Sequence, residues 1–564
     1  MSHTENIGVS RREHSICRAV PYSSMVRLTP SIVQAWRHFP GARIALREIR
    51  SVFTSISITH IIMRLSIFCC RRLLIALCTL TITVISPASS QAFDLPDLGS
   101  YSDTFMSTGA EARLGRAFMR SVRSALPVLD DPLLTDYLES LGNVLVAADH
   151  YASGNFTFFL IDKPVVNAFA GPGGYIGVYA GLILAAETEG ELAAVIAHEI
   201  AHVTQHHLMR SFEDQDKLSI PATALLIAAA ILGAQVSPDA GMAAVAGLQA
   251  AAIQHQINFT RANENEADRI GITTLAKAGY DPYAMAGFFE RLAKSSRLTE
   301  NNAPEFLRTH PVNSNRIADA LGRADEFGAR QRPDSLRFQL TQAHLRMRAE
   351  TSAEQAVAYF RSTLSAGRYR NETAERYGYA LALQRAHHFA DAQSETATLL
   401  KNYPDQIEFI ILNARLDRQQ NQPERAIGKL RQAISRFADN WPLHIVYAEA
   451  LIANGNPTQA ITQLLAVERL RPGNAMLYDL LEQAAMKSGN NAATHRFRAE
   501  KLYAEGDLEP AIRQLEIALH QRDLAYHDAA GIQARLETWQ EEQRDQKRRD
   551  HDLPGRSHVM VNDR

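Results

Sequence analysis

At 564 residues the chain is too long for one ordinary hydrophobic core, so we expect two or more domains. Its 46% hydrophobic and 21% charged residues are typical of a globular protein and argue against a disordered one. The formal net charge is −2, and because nucleic-acid binding needs a clustered basic excess, we expect no nucleic-acid partner.

Residues 63–92 have the pattern of a secretory signal peptide. Arginines precede the apolar run 73–85, and Ser90-Gln91-Ala92 then supplies a small-x-small cleavage sequence. The apolar run is shorter than the roughly 20 residues that span a bilayer, and the alternative is an uncleaved anchor or a buried helix. The pattern predicts export by a cleavable signal peptide.

Every cysteine of the chain precedes residue 93. Cleavage after Ala92 would therefore leave a mature protein without thiols or disulfides, which suits an oxidising compartment. Residues 1–62 are polar and basic and lie ahead of the signal sequence. We expect them to be a non-native or disordered extension, with translation starting at Met63.

Residues 167–179 predict a turn followed by a short strand. Asn167 and Phe169 precede the sequence Gly-Pro-Gly-Gly, after which aromatic and β-branched side chains alternate over residues 175–179. An edge strand at this position could bind an extended polypeptide through backbone hydrogen bonds. Asn167 and Phe169 are thus candidate substrate-binding residues, and a purely structural hairpin is the alternative.

Residues 188–210 predict a helix that carries an HExxH motif. His198 and His202 lie one turn apart on one face, where they can share a metal ion. Imidazole nitrogens suit Zn²⁺, whose tetrahedral shell tolerates an open position for water. Glu199 lies about 100° around the helix from His198, so we predict that it acts as the catalytic base. The alternative is a surface helix with two unconnected histidines, and we interpret the following His206 and His207 as structural.

Residues 221–252 are unusually apolar but contain no run long enough to cross a membrane. They could form a helical hairpin that contacts the membrane surface peripherally or covers the active-site cleft. An ordinary buried hairpin fits the sequence equally well.

A catalytic zinc needs a third protein ligand, and the acidic segment 259–269 offers candidates. On composition alone, either Glu264 or Glu266 could be that ligand. Glu264 shares a helix face with Asp268, which favours Glu264 as the ligand and Asp268 as the hydrogen-bond partner of a ligand histidine. The alternative is a solvated acidic helix start.

Residues 336–530 are helical in pattern and internally repetitive. Ala392, Ala426 and Ala460 recur at intervals of about 34 residues, the period of tetratricopeptide repeats. Such units stack into a superhelix with a concave groove, and a generic helical bundle is the alternative. Residues 531–564 are expected to be a charged, solvated tail.

The HEIAH and NENEAD sequences together resemble the gluzincin metalloproteases of membrane quality control. With LPDLG (95–99), NAFAGPGG (167–174), THP (309–311) and the repeats, the arrangement is similar to the beta-barrel assembly-enhancing proteases of the Gram-negative periplasm. The resemblance implies a mostly α fold, with a gluzincin-type zinc metallopeptidase domain of helices and a small sheet over 93–335, followed by the tetratricopeptide domain. It implies one zinc ion per chain, with Glu264 at the position of the family's glutamate ligand.

The resemblance also draws attention to His310, whose position matches a family histidine able to reach the zinc. We predict that His310 fills the fourth coordination position in a resting state and silences the enzyme. An ordinary histidine before a proline is the alternative. Arg316 could steady a substrate or a carbonyl oxyanion.

The function expected from these features is that of a zinc-dependent endopeptidase of the cell envelope. By resemblance, it acts on misfolded or stalled polypeptides, with outer-membrane β-barrel proteins and their assembly complex as partners. The repeats would bind clients in a chaperone-like manner, and the protein would reside in the periplasm, peripheral to the outer membrane. The competing interpretation is a periplasmic chaperone or adaptor with a latent protease domain.

Overall fold

The computed structural model describes residues 108–210, 227, 261–298, 304–471 and 473–552, all of which belong to one compact unit, 99–564. The predicted extension 1–62, the signal sequence 63–92, the LPDLG sequence and nearly all of the apolar segment 221–252 lie outside these residues. Among the described residues, no helix combines the length and apolarity that crossing a membrane requires.

The first part of the described chain is helical with one small sheet. Its elements, in chain order, are α1 (Thr108–Ala125), α2 (Pro132–Ala148), β1 (Thr157–Ile161), β2 (Ala168–Ala170), β3 (Tyr175–Tyr179), α3 (Ala180–Ala185), α4 (Glu189–Thr204), α5 (His207–Arg210), α6 (Arg261–Lys277), α7 (Tyr283–Leu298), α8 (Glu305–Thr309) and α9 (Ser314–Phe327).

Strand β3 lies at the centre of the sheet. The strand order is β1-β3-β2, with β1 parallel and β2 antiparallel to β3, so that Phe169 pairs with Gly177. The expectation that the strand over residues 175–179 offers a free edge is therefore wrong. Within the described residues β1 and β2 are the two edge strands; Ile161 of β1 also forms an isolated bridge to Val128, whereas β2 packs beside α4.

Helix α4 carries the HExxH motif and is buried through most of its length. Thr188 caps its N-terminus, where the Thr188 hydroxyl accepts a hydrogen bond of 3.2 Å from the backbone N–H of Glu191. The main core cluster places α4 between α2, the sheet, α6 and α7. Gly271 of α6 lies so close to α4 that a Cβ atom there would stand 3.2 Å from the backbone nitrogen of His198. The missing side chain thus lets α6 approach the motif closely.

The second part of the described chain is an array of paired helices. They are α10 (Leu336–Ala349), α11 (Ala353–Ser365), α12 (Glu372–Arg385), α13 (Phe389–Asn402), α14 (Ile407–Gln419), α15 (Pro423–Arg436), α16 (Trp441–Ala453), α17 (Pro457–Leu470), α18 (Ala475–Ser488), α19 (Asn491–Ala504), α20 (Leu508–Leu519) and α21 (Tyr526–Asp552).

The predicted repeat positions explain how these helices pack. Ala392, Ala426 and Ala460 lie in α13, α15 and α17, and each is completely buried. A side chain this small lets neighbouring helices approach closely at the same point in successive units. The predicted fold class, a mostly helical domain with a small sheet followed by helical repeats, is confirmed. The predicted boundaries at residues 335 and 530 stay predictions. The tail expected to be solvated from residue 531 is not solvated at its start, because α21 runs through residue 530 and buries Ile532, Leu536 and Trp539 in a core cluster with the preceding helices.

The repeats pack directly against the first part of the chain. Asp334 accepts a hydrogen bond of 2.7 Å from the backbone N–H of Glu189, the first residue of α4. The Glu189 carboxylate in turn accepts hydrogen bonds from the Ser335 hydroxyl at 2.6 Å and from the Tyr137 hydroxyl at 3.0 Å. The amide of Gln342 on α10 donates to backbone oxygens at the end of α3. The start of the repeats therefore anchors the start of α4.

Candidate metal centre

Four buried side chains from three parts of the chain converge at one point. His198 and His202 come from α4, Glu264 from α6, and His310 from the residue that ends α8. One ligand atom from each lies within 4.8 Å of all the others, and no exposed fraction exceeds 2%. The structure thus brings together the three predicted metal ligands and the predicted fourth ligand.

The spacing of these atoms suits a tetrahedral cation. The His198 Nε2 atom lies 3.0 Å from the His202 Nε2 atom and 3.3 Å from the His310 Nδ1 atom. Glu264 oxygens lie 2.9 Å from the His310 Nδ1 atom and 3.5 Å from the His202 Nε2 atom. Because zinc binds nitrogen and oxygen at about 2.0–2.1 Å, tetrahedral ligand atoms are about 3.3 Å apart. The observed separations bracket that value.

The charges around the cluster also favour a cation. Glu199, Glu264 and Asp268 are all buried, and a buried carboxylate is costly unless positive charge compensates it. Burial alone would raise the pKa of Glu264, but the charge of His310 and hydrogen bonds from His202 and His310 outweigh it and hold that pKa well below its usual value. Burial also lowers the pKa of His202 well below its usual value, and a neutral imidazole is the form that binds a metal.

Glu199 lies beside the cluster without joining it. Its carboxylate is completely buried, and this burial raises its pKa. The backbone N–H of Ala170, at the end of β2, faces the carboxylate and lowers that pKa in part. The imidazole of His310 lies between the two groups, with its Nδ1 atom towards the cluster and its Nε2 atom 3.6 Å from a Glu199 oxygen.

Asp268 and Arg316 support the cluster from behind. An Asp268 oxygen lies 3.0 Å from the Nδ1 atom of His198, the position predicted for it. The Arg316 guanidinium donates to both Asp268 oxygens, at 2.7 and 2.8 Å, and lies 2.7 Å from a Glu264 oxygen. Arg316 is only 3% exposed. This placement corrects the prediction that it contacts substrate: its donors hold two carboxylates of the site in place.

The predicted substrate-binding side chains point into the protein. Asn167 is 1% exposed, and its side-chain oxygen accepts a hydrogen bond of 3.0 Å from the Ala168 N–H. Phe169 packs in an aromatic cluster, with its ring 5.8 Å from that of Phe159 and 6.1 Å from that of Tyr179. Neither side chain is placed to contact a polypeptide, because both are buried inside the protein.

Two residues outside the predicted site lie behind the second ligand histidine. The Nδ1 atom of His207 lies 2.9 Å from the Nδ1 atom of His202, and its Nε2 atom lies 3.1 Å from a Glu266 oxygen. The sequence offers Glu266 as a possible metal ligand but contains no signal that pairs it with His207. That contact depends on the backbone turn at His206, where φ is 52°.

The chain matches known proteins over both of its parts. The sequence pattern of Peptidase family M48 matches residues 132–324, and that of a tetratricopeptide repeat matches residues 417–481. The beta-barrel assembly-enhancing protease of Escherichia coli K12 is 35% identical over 459 residues, which cover 81% of this chain and 94% of that protein. The protein of the same name from Yersinia pestis is 34% identical over 443 residues, covering 78% and 91% respectively.

Proposed function

This chain belongs to the beta-barrel assembly-enhancing protease family of M48 metallopeptidases, and from that premise we propose that it is a zinc-dependent endopeptidase. His198, His202 and Glu264 would hold the zinc ion. The observation that carries the proposal is the convergence of these ligand atoms, at tetrahedral spacing, beside the buried carboxylate of Glu199. The choice of zinc follows from the donor set, because two imidazoles and one carboxylate are typical of catalytic zinc sites.

The side chains around the site would divide the work of peptide hydrolysis. A bound zinc ion supplies positive charge that favours ionisation of a water molecule and polarises the scissile carbonyl. Glu199 would accept the proton of the attacking water and pass it to the leaving amine, because its buried carboxylate lies beside the ligand cluster. The edge of β2 would bind an extended substrate through its backbone, since β2 ends at Ala170, beside that carboxylate.

His310 would hold the enzyme in a resting state. Its imidazole lies between the ligand cluster and Glu199, which is where an attacking water has to stand. As a fourth ligand it would complete the tetrahedral shell and leave no position for that water. Movement of the segment around α8 would then open the site.

The relatives and the sequence support a proposal for the clients and the location of the enzyme. We propose that it acts on misfolded or stalled polypeptides during the assembly of outer-membrane β-barrel proteins; the name of its relatives links those proteins to β-barrel assembly. The repeats would bind clients or the assembly complex, because stacked units of this kind present a concave surface. The signal sequence supports a periplasmic location. A chaperone role with a latent protease agrees with the position of His310, and we propose it as a second state of the same molecule.

Removal and return of the metal tests the proposal. Purified protein is expected to contain one zinc ion per chain, to lose its digestion of an unfolded client after chelation, and to regain it with stoichiometric zinc but not with magnesium. Casein digestion and metal analysis of the same samples give the measurement. A chelated, zinc-free sample that still digests casein at the full rate would contradict the proposed function.

Replacing His310 by alanine is expected to raise casein digestion about tenfold. Molecules in which the fourth coordination position is open to water would then no longer be a minor population. Zinc content should not change, since three ligands remain. Thr309→Ala is the matched control, because the Thr309 hydroxyl only donates to a backbone oxygen of its own helix. Digestion that is unchanged or lost in His310→Ala would count against a resting state closed by this residue.

A further inference from the structure

The second ligand histidine is supported differently from the first. His198 directs its Nδ1 atom at the carboxylate of Asp268, 3.0 Å away. His202 directs its Nδ1 atom at another imidazole, that of His207, and the carboxylate of Glu266 lies beyond it. Helix α6 therefore supplies Glu264 to the metal cluster and one carboxylate behind each ligand histidine.

The two residues behind His202, His207 and Glu266, differ in burial. His207 is completely buried, whereas the side chain of Glu266 is 42% exposed and also lies 3.9 Å from an Arg210 nitrogen. The contact between His202 and His207 is thus shielded from water. An imidazole so placed has to exchange its hydrogen bonds with protein groups.

The direction of each hydrogen bond follows from the cluster geometry. The Nε2 atom of His202 faces the cluster, so it is the nitrogen that offers a lone pair to a metal. The proton of the neutral ring then lies on Nδ1, which has to donate to the Nδ1 atom of His207. That atom can accept only if His207 carries its own proton on Nε2, and this N–H points at the Glu266 oxygen.

We propose that His207 is a positioning residue for the metal ligand His202, and that Glu266 fixes the tautomer of His207 that this task requires. The inference rests on the proposed function, because it takes His202 as a ligand. The two imidazoles and the carboxylate form a relay that orients the ligand ring and makes its metal-binding nitrogen more basic. Partners of this kind typically change metal affinity by about 10- to 100-fold.

Zinc affinity, measured by competition with a chromophoric chelator, tests the relay without using activity. His207→Leu fills similar space but cannot accept a hydrogen bond from His202, so it is expected to weaken zinc binding about 10- to 100-fold. Glu266→Ala is expected to weaken zinc binding about tenfold. His207→Asn should restore most of the affinity, because its side-chain oxygen can accept from His202. His527→Leu, the same change at a histidine that is 83% exposed on α21, is the matched control and should bind zinc as the wild type does.

Nitrogen NMR of histidine-labelled, zinc-loaded protein measures the tautomers of the two rings. A purely packing role of His207 would not fix these tautomers. The proposal requires the Nδ1–H tautomer for His202 and the Nε2–H tautomer for His207. The opposite tautomers, or unchanged zinc affinity in both Glu266→Ala and His207→Leu, would overturn it. If His207→Leu does not fold, Glu266→Ala decides, since that side chain is half exposed. Wild-type protein that binds no zinc would instead refute the proposed function itself.

Discussion

Replacing Glu199 by glutamine is expected to lower kcat for peptide hydrolysis by about 10²- to 10⁴-fold while leaving zinc bound. The substitution preserves the shape of a completely buried side chain and removes its ability to accept a proton. Initial rates of casein digestion, with zinc content and thermal midpoint determined on the same samples, give the measurement.

The matched control is Glu290→Gln, which makes the same chemical change at a carboxylate 45% exposed on α7. Its digestion rate should equal that of the wild type. A folded, zinc-loaded Glu199→Gln enzyme that digests casein at a rate near the wild type's would exclude Glu199 as the base.

Replacing Glu264 by alanine should weaken zinc binding about a thousandfold, since one of three protein ligands supplies roughly a third of a binding free energy of about 10–16 kcal/mol. The same change leaves the Arg316 guanidinium without one of its two carboxylate partners. We therefore expect some loss of stability in addition to the loss of metal. Metal analysis after dialysis against buffered zinc gives the result.

Glu266→Ala is the informative comparison for this variant. On composition both glutamates were candidate ligands, but the Glu266 carboxylate faces His207 and lies outside the cluster. The Glu266→Ala variant should still bind one zinc ion per chain at micromolar zinc, although its affinity for zinc is lower. If Glu266→Ala loses its zinc and Glu264→Ala keeps it, the ligand assignment is wrong.

The spacing of residues along helices predicted most of the candidate centre. Two histidines at i and i+4 can only project from one face, and Glu264 and Asp268 share a face for the same reason. Helices α4 and α6 pack with these faces against each other. Periodicity also predicted the buried alanines of the repeats, because the same packing recurs in every unit.

The features that escaped prediction depend on contacts between distant segments. Arg316 looked like a group for substrate because nothing in the sequence indicates that it pairs with Asp268, 48 residues earlier. Gly271 carried no local signal, since its role is to let two helices approach. Strand order in a sheet is likewise set by tertiary packing, so alternation in residues 175–179 predicted a strand but not its central place.

Hydrogen bonds join Asp334 and Ser335 to Glu189, the first residue of α4, and they limit which repeat arrays could follow this domain. A repeat array that begins with other side chains would leave the Glu189 carboxylate without its hydroxyl donor and the helix start without its acceptor. The repeats and the metal-site helix are therefore not independent modules. An exchanged array has to supply its own hydrogen-bond partners for the first residue of the helix that holds the histidines.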